Sequence, residues 1–290
     1  MTGKSPISNL VKKLAVDGYT DVKISMQLPS HVHIGITTAG ANEFPMALKG
    51  LGFLGGVVVK VLLIIDLQRD FCPGGALAVP EGDTIVPLVN KLMREGGYDL
   101  KIATLDWHPE NHGSFADNHP GKKLFEVIDL EGVPQVLWPR HCVQGTVGAE
   151  FHPHFDAHAL NYIVKKGLRP LVDSYSGFFD NQKRGSTELL DILKSEAARR
   201  GEAAEDIELH IVGLALDYCV AFTALDAADL KLKASVVVDA TRAVNVSPGD
   251  DAASLRKLVE RGVEVVESNN LLSEMAREVG GRGRTSEIRL

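Results

Sequence analysis

Val57-Val58-Val59-Lys60-Val61-Leu62-Leu63-Ile64-Ile65-Asp66 decides how this chain is read. The run is β-branched and apolar, shows little alternation and stops at a carboxylate. A segment of that kind is a strand buried on both faces, as in a parallel sheet covered by helices. The same form recurs downstream. Residues 100–105 end at Asp106, residues 161–164 end at Lys165-Lys166-Gly167, and residues 207–214 lead into Asp217-Tyr218-Cys219. Residues 234–238 and 263–266 complete the set. Between them, residues 85–93, 187–199, 218–230 and 252–261 carry helical apolar spacing. Strands alternating with helices predict an α/β fold with a mostly parallel sheet and helices on both faces.

The chain of 290 residues, 44% hydrophobic, is long enough to bury a substantial core. A net charge of -7 argues against a general binder of nucleic acid or anionic membrane. The longest apolar stretches are strand-sized, so no membrane span is expected. Three widely separated cysteines, Cys72, Cys142 and Cys219, are no disulfide framework and fit a reducing compartment. The expected location is cytoplasmic. Residues 1–57 contain no Arg and end in a cluster of Gly50, Gly52, Gly55 and Gly56. They read as a poorly ordered N-terminal extension with one short helix over 5–16, and as a poor targeting peptide. Residues 58–280 form the main domain and 281–290 a charged, frayed tail. The terminal Ile288-Arg289-Leu290 only loosely resembles a peroxisomal signal.

In an open parallel sheet, ligands bind beyond the carboxyl ends of the strands. The residues found there are Asp66, Asp106 with His108, Lys166 and Cys219. A single charged residue ending an apolar strand is ordinarily a solvated cap, but four such ends on one edge ask for another explanation. Cys219 lies in the first turn of a helix, where the amides and dipole would lower a thiol pKa. The backbone N–H groups around Ala215 and Cys219 could receive an oxyanion. Lys166 would favour the thiolate, and Asp66 could take the thiol proton and pass it to a leaving amine. Asp106 and His108 point to the same side of an extended segment and could ligate one cation. His141 could supply a third ligand, with Ser114 facing the metal directly or through water. Two histidines and a carboxylate suit Zn2+, Fe2+ or Mn2+. Cys72 and Cys142 read as buried structural thiols. His112, His119, His152, His154 and His158 read as loop or surface residues, His112 and His152 being the exceptions to watch.

Several segments, in this order, carry a family resemblance. They are Ile64 to Phe71 (IIDLQRDF), Gly74 to Leu77 (GGAL), Thr104 to Phe115 (TLDWHPENHGSF), Trp138 to Gly148 (WPRHCVQGTVG), Lys166-Gly167, Tyr175 to Phe178 (YSGF) and Val212 to Val220 (VGLALDYCV). Together they resemble the nicotinamidases of the isochorismatase-like cysteine hydrolase superfamily, over about 200 residues. The resemblance implies a six-stranded sheet, frequent homo-oligomers and conversion of nicotinamide to nicotinate and ammonia for NAD salvage. It implies a triad of Asp66, Lys166 and Cys219, and one divalent cation, Zn2+ first, on Asp106, His108 and His141, with Ser114 at a variable further position. Phe71, Trp138 and Tyr175 would enclose the pyridine ring. Ala215 and Cys219 would form the oxyanion hole, beside a non-proline cis peptide. Leu216 stands where the family often has Thr. A sibling amidohydrolase acting on an N-carbamoyl or ureido amide is the second reading, and a catalytically silent module on the same fold is the third. The silent module would require loss of a triad residue, and all three are present. Isochorismatase itself is disfavoured, since its vinyl-ether chemistry needs no metal group.

Overall fold

The computed structural model describes residues 23–27, 31–35 and 58–281. The expected helix over 5–16, the glycine cluster at 50–56 and residues 282–290 lie outside the described residues. Strands β1 (Lys23–Gln27) and β2 (His31–Gly35) form an antiparallel pair by themselves. A separate compact unit spans Val58–Glu278 and holds the sheet on which the apolar runs converge.

That sheet has six strands, in the order β10-β9-β8-β3-β4-β7, and every pairing in it is parallel. The strands are β3 (Val59–Ile65), β4 (Leu100–Asp106), β7 (Tyr162–Lys166), β8 (Ile207–Leu214), β9 (Lys233–Arg242) and β10 (Glu264–Val266). A short antiparallel pair, β5 (Val127–Leu130) and β6 (Val133–Val136), sits in the long β4–β7 connection. The α-helices are α1 (Val86–Glu95), α2 (Leu189–Arg199), α3 (Ala221–Asp229), α4 (Asp250–Glu260) and α5 (Ser268–Gly281). Among the described residues, no helix is long and apolar enough to cross a membrane.

Alternation along β3 builds two cores from one apolar run. Val59, Val61, Leu63 and Ile65 face one side, against Leu189 and Leu193 of α2, Ala224 and Ala227 of α3, and Leu258 of α4. Leu62 and Ile64 face the other, against Val89 and Leu92 of α1 and Leu271 of α5. Burying one such Leu or Ile contributes about 1.5–3 kcal/mol, so a strand with no polar face is held from both sides. Pro87 falls in the first turn of α1, where its missing N–H is harmless.

The boundaries shift in informative places. Strand β9 runs to Arg242 rather than stopping at 238, because a bulge between Ile211 and Gly213 resets the β8 register and pairs Leu214 with Arg242. The expected helix over 218–230 divides into a wide π-type turn, Leu216–Val220, and then α3. Cys219 therefore lies on the wider turn that precedes the α-helix, not in its first turn.

Candidate active site and metal centre

Parallel pairing brings the strand ends level. Asp66 follows β3, Asp106 ends β4 opposite Lys166 at the end of β7, and β8 delivers the turn bearing Cys219. Asp66 takes a left-handed backbone conformation (φ 47°), and the Leu214–Ala215 peptide is cis, as the resemblance implied. The residues named from sequence for catalysis and metal binding meet at one edge of the sheet.

Lys166 is the hub. Its Nζ lies 2.8 Å from Asp66 Oδ2, 2.5 Å from Asp106 Oδ1, 2.9 Å from the Ser174 carbonyl and 3.4 Å from Cys219 Sγ. The whole side chain is buried. Burial would depress an ammonium pKa, but Asp106 and Asp66 outweigh it and hold Lys166 charged, well above its usual value. Burial would raise Asp106, yet Lys166 and His108 hold it well below the carboxylate range. Asp66 moves the other way: burial and the Asp106 charge outweigh Lys166, and its pKa rises. Two neighbouring carboxylates are thus driven apart, one held as the anion at neutral pH and one able to carry a proton. Thr104 Oγ1 donates to Asp66 Oδ1 at 2.7 Å and fixes its orientation.

Cys219 differs from its sequence expectation in a second respect, its charge state. Burial pushes its thiol pKa well up, and the opposing pull of Lys166 does not overcome that. The resting group is a thiol. Its sulfur and carboxylate oxygens of Asp66 and Asp106 lie within 4.8 Å of one another, so deprotonation has a local acceptor. Cys72 and Cys142 are buried free thiols, as expected, and burial raises Cys72 to about 11.

Asp106 also faces a second cluster. Its Oδ2 lies 3.3 Å from His108 Nε2 and 3.7 Å from His141 Nε2. The far nitrogens are both engaged: His108 Nδ1 with the Gly167 carbonyl at 2.9 Å and His141 Nδ1 with the Pro139 carbonyl at 2.7 Å. As those bonds make Nδ1 the donor, both Nε2 lone pairs are left facing Asp106. His108 Nε2 is buried without a hydrogen-bond partner, and the three ligand atoms lie within 4.8 Å of one another. The set fits one divalent cation. Gly167 (φ 68°) makes the close approach to His108 possible, since a Cβ there would overlap the imidazole ring.

Ser114 is buried nearby, but its Oγ is 2.7 Å from His112 Nδ1. His112, one of the two exceptions set apart from the loop histidines, is fully buried and its ring lies 4.1 Å from that of His108. Burial lowers its pKa from 6.5 to about 4. The unfolded chain therefore binds the extra proton between those two values, so stability falls as pH drops through that window. Metal-free protein should lose up to about 3 kcal/mol there from this group. Denaturant midpoints should show that slope in the parent and a flatter one in His112→Gln; equal slopes would remove His112 as the source.

The aromatic residues divide into two groups. Phe71 lies against His141, with ring centroids 5.4 Å apart. Trp138 Nε1 donates to the Tyr175 hydroxyl at 3.0 Å, and Gln135 Nε2 donates to the same oxygen at 2.9 Å. Tyr218 was not singled out from sequence, yet its ring is 4.7 Å from Trp138 and 5.5 Å from Tyr175. Its position beside Cys219 was the available signal. Sequence reading also assigned no role to Gln68, whose side-chain amide bonds both the N–H and the C=O of Asp106 at 2.8 Å. Ala215 is buried at the head of the Cys219 turn.

Residues 60–270 match the family profile described as Isochorismatase domain, and the chain belongs to that family. It is 46% identical over 205 residues to the nicotinamidase of Escherichia coli (strain K12), covering 70% of this chain and 92% of that one. Among solved structures it resembles an Acinetobacter baumanii nicotinamidase pyrazinamidase, with a TM-score of 0.67 at 38% identity over 73% of this chain and 98% of the other. It also resembles the pyrazinamidase of Pyrococcus horikoshii in complex with zinc, with a TM-score of 0.56 at 38% identity over 72% and 99% of the two chains.

Proposed function

We propose that this chain is a nicotinamidase, hydrolysing nicotinamide to nicotinate and ammonia through a thioester on Cys219 and so feeding NAD salvage. The observation that carries the reading is the sharing of Asp106. One oxygen binds Lys166 of the Asp66–Lys166–Cys219 group, and the other faces His108 and His141. The names of the relatives, nicotinamidase and pyrazinamidase, support the same substrate class. The zinc complex supports Zn2+ on Asp106, His108 and His141, with Fe2+ and Mn2+ as alternatives. Ser114, engaged by His112, is assigned to the cation's outer sphere through water. The hydrolase domain is assigned to residues 58–280, between an N-terminal extension (1–57) and a charged tail (281–290). A cytoplasmic homo-oligomer is the expected working form.

When bound, the cation would take the pyridine nitrogen and orient the ring among Phe71, Trp138 and Tyr175. The remaining steps belong to the chain. The Cys219 thiol passes its proton to Asp66 as the sulfur attacks the carboxamide carbon. The carbonyl oxygen takes up the charge and is received by the backbone N–H groups of Ala215 and Cys219. Asp66 then delivers the proton to the amide nitrogen, the C–N bond breaks, and ammonia leaves a nicotinoyl thioester. Asp66, again a carboxylate, takes a proton from water, whose oxygen attacks the thioester. Sulfur leaves and recovers the proton, and the acid formed gives its carboxyl proton to solvent and departs as nicotinate. Lys166 stays charged throughout and keeps Asp66 and Asp106 from sharing that proton.

Ammonia release from nicotinamide, assayed before and after chelation, tests this reading. Activity is expected at the start, near-complete loss on chelation, and recovery with added Zn2+. No turnover of nicotinamide together with turnover of a ureido compound would overturn it.

A further inference from the structure

We propose that Asp70 is a positioning residue for His141, setting the peptide that carries this histidine into the metal cluster. The proposal rests on the metal reading above. None of the catalytic steps uses Asp70, yet its carboxylate is committed to two backbone donors. Oδ2 accepts the N–H of Cys142 at 2.7 Å and Oδ1 accepts the N–H of Ala76 at 3.3 Å. The Asp70 carbonyl also accepts the N–H of Leu77 at 2.9 Å.

Cys142 is an unusual residue to clamp. It directly follows His141 and holds a left-handed backbone (φ 45°). A non-glycine residue in that region is strained and persists where its surroundings fix it. Both of its peptide groups are fixed. The N–H goes to Asp70, and the C=O accepts the N–H of His108 at 3.0 Å. The His108 carbonyl in turn accepts the N–H of Gln144 at 2.9 Å. One residue thus ties the loops of both histidine ligands, and Asp70 holds it from the β3 side. Phe71, the next residue, packs on the His141 ring. Gly148 leaves the space that Asp70 fills, because a Cβ there would overlap both carboxylate oxygens. Asp70 therefore acts on metal affinity through the orientation of His141, as an outer-sphere partner does, where losses of about 10–100-fold are typical.

Two variants reach the same contact from opposite sides. Asp70→Ala removes the carboxylate, and Gly148→Ala displaces it while leaving it chemically intact. Metal-stripped proteins are titrated with Zn2+ against a chromophoric chelator, and their melting is followed without metal. The parent should bind one equivalent. Both variants should bind about 10–100-fold more weakly while still melting cooperatively. Asp70→Asn should fall between, since its amide oxygen can still accept from Cys142. Excess Zn2+ should restore nicotinamide turnover in Asp70→Ala, which simple misfolding would not allow. If Asp70→Ala does not fold, Gly148→Ala decides. Zn2+ affinities of the folded variants within twofold of the parent would overturn the role of Asp70 alone. Absence of saturable Zn2+ binding in the parent would overturn the metal reading and this proposal with it.

Discussion

Cys219→Ala is expected to abolish ammonia release from nicotinamide, by at least roughly 10⁴-fold, while ligand binding survives. The sulfur is the proposed nucleophile, since Lys166 stays charged and the Thr104 hydroxyl is committed to Asp66, and alanine offers nothing in its place. The groups proposed to hold the ligand are other side chains: Asp106, His108 and His141, which cluster together, with Phe71 against His141 and Trp138 against Tyr175. Truncation removes one contact to Lys166 and leaves its partners Asp66, Asp106 and the Ser174 carbonyl in place. The fold should therefore tolerate it. Equilibrium binding of nicotinamide to zinc-loaded variant, beside a single-turnover ammonia assay, separates the two effects. Parental rates of ammonia release in the variant would end the assignment of Cys219 as nucleophile.

The sheet was legible because both of its faces are buried. A strand such as β3, with no polar face, leaves an apolar run broken only by Lys60 near its start, and the charged residue ending it marks where the sheet meets the site. The β5–β6 pair left no such trace. Its eight residues include Pro134, and half-exposed or exposed positions outnumber the buried ones, so neither alternation nor a run stands out. Helix α5 begins Ser268-Asn269-Asn270 and offers only Leu271 and Leu272 as an early apolar signal. The bulge at Ile211/Gly213 depends on strand pairing, and its one local trace is Gly213, a glycine with positive φ inside an apolar strand.

The site divides in the same way. Asp106 and His108 could be paired by alternation along one segment, and Cys219 by its place in a strand-to-helix turn. Their supports could not. Thr104 reaches Asp66 across 38 residues of sequence, Gln68 reaches Ala149 across 81, and Asp70 reaches Cys142 across 72. A polar residue with so distant a partner looks like any loop residue until the chain is folded. For that reason the sequence could mark His112 only as an exception among the loop histidines, while the fold sets its ring 4.1 Å from that of His108. The thiol pKa was misjudged for another reason: the dipole argument is local, whereas burial is a property of the whole fold and dominates.

Lys166→Met should show how strongly the two halves of the site depend on one cation. Without the ammonium, Asp66 loses its counter-charge beside a second buried carboxylate, and Asp106 keeps only the His108 and His141 side of the site. Removing one partner of a buried ion pair typically destabilises by about 3–5 kcal/mol. Turnover should fall by roughly 10³-fold or more, because Asp66 can no longer cycle its proton independently of Asp106. The pH dependence fixes the sign. In the parent, Lys166 helps hold Asp106 below the usual carboxylate range, so that contribution is present at neutral pH and lost as pH falls through the depressed value. In the variant Asp66, already raised by burial and the Asp106 charge, loses the opposing pull of Lys166 and titrates further above its unfolded value, so the folded state binds a proton that the unfolded state has released. The variant's stability deficit should therefore be largest near neutrality and shrink as pH falls toward the unfolded carboxylate range. Lys166→Arg should not rescue it, since the side chain is enclosed and a planar guanidinium cannot occupy the ammonium's position. Denaturant unfolding of parent and both variants across the acid limb measures the deficit. A deficit independent of pH would mean that Lys166 stabilises the fold by packing, and the charge argument linking catalysis to the metal cluster would fall with it.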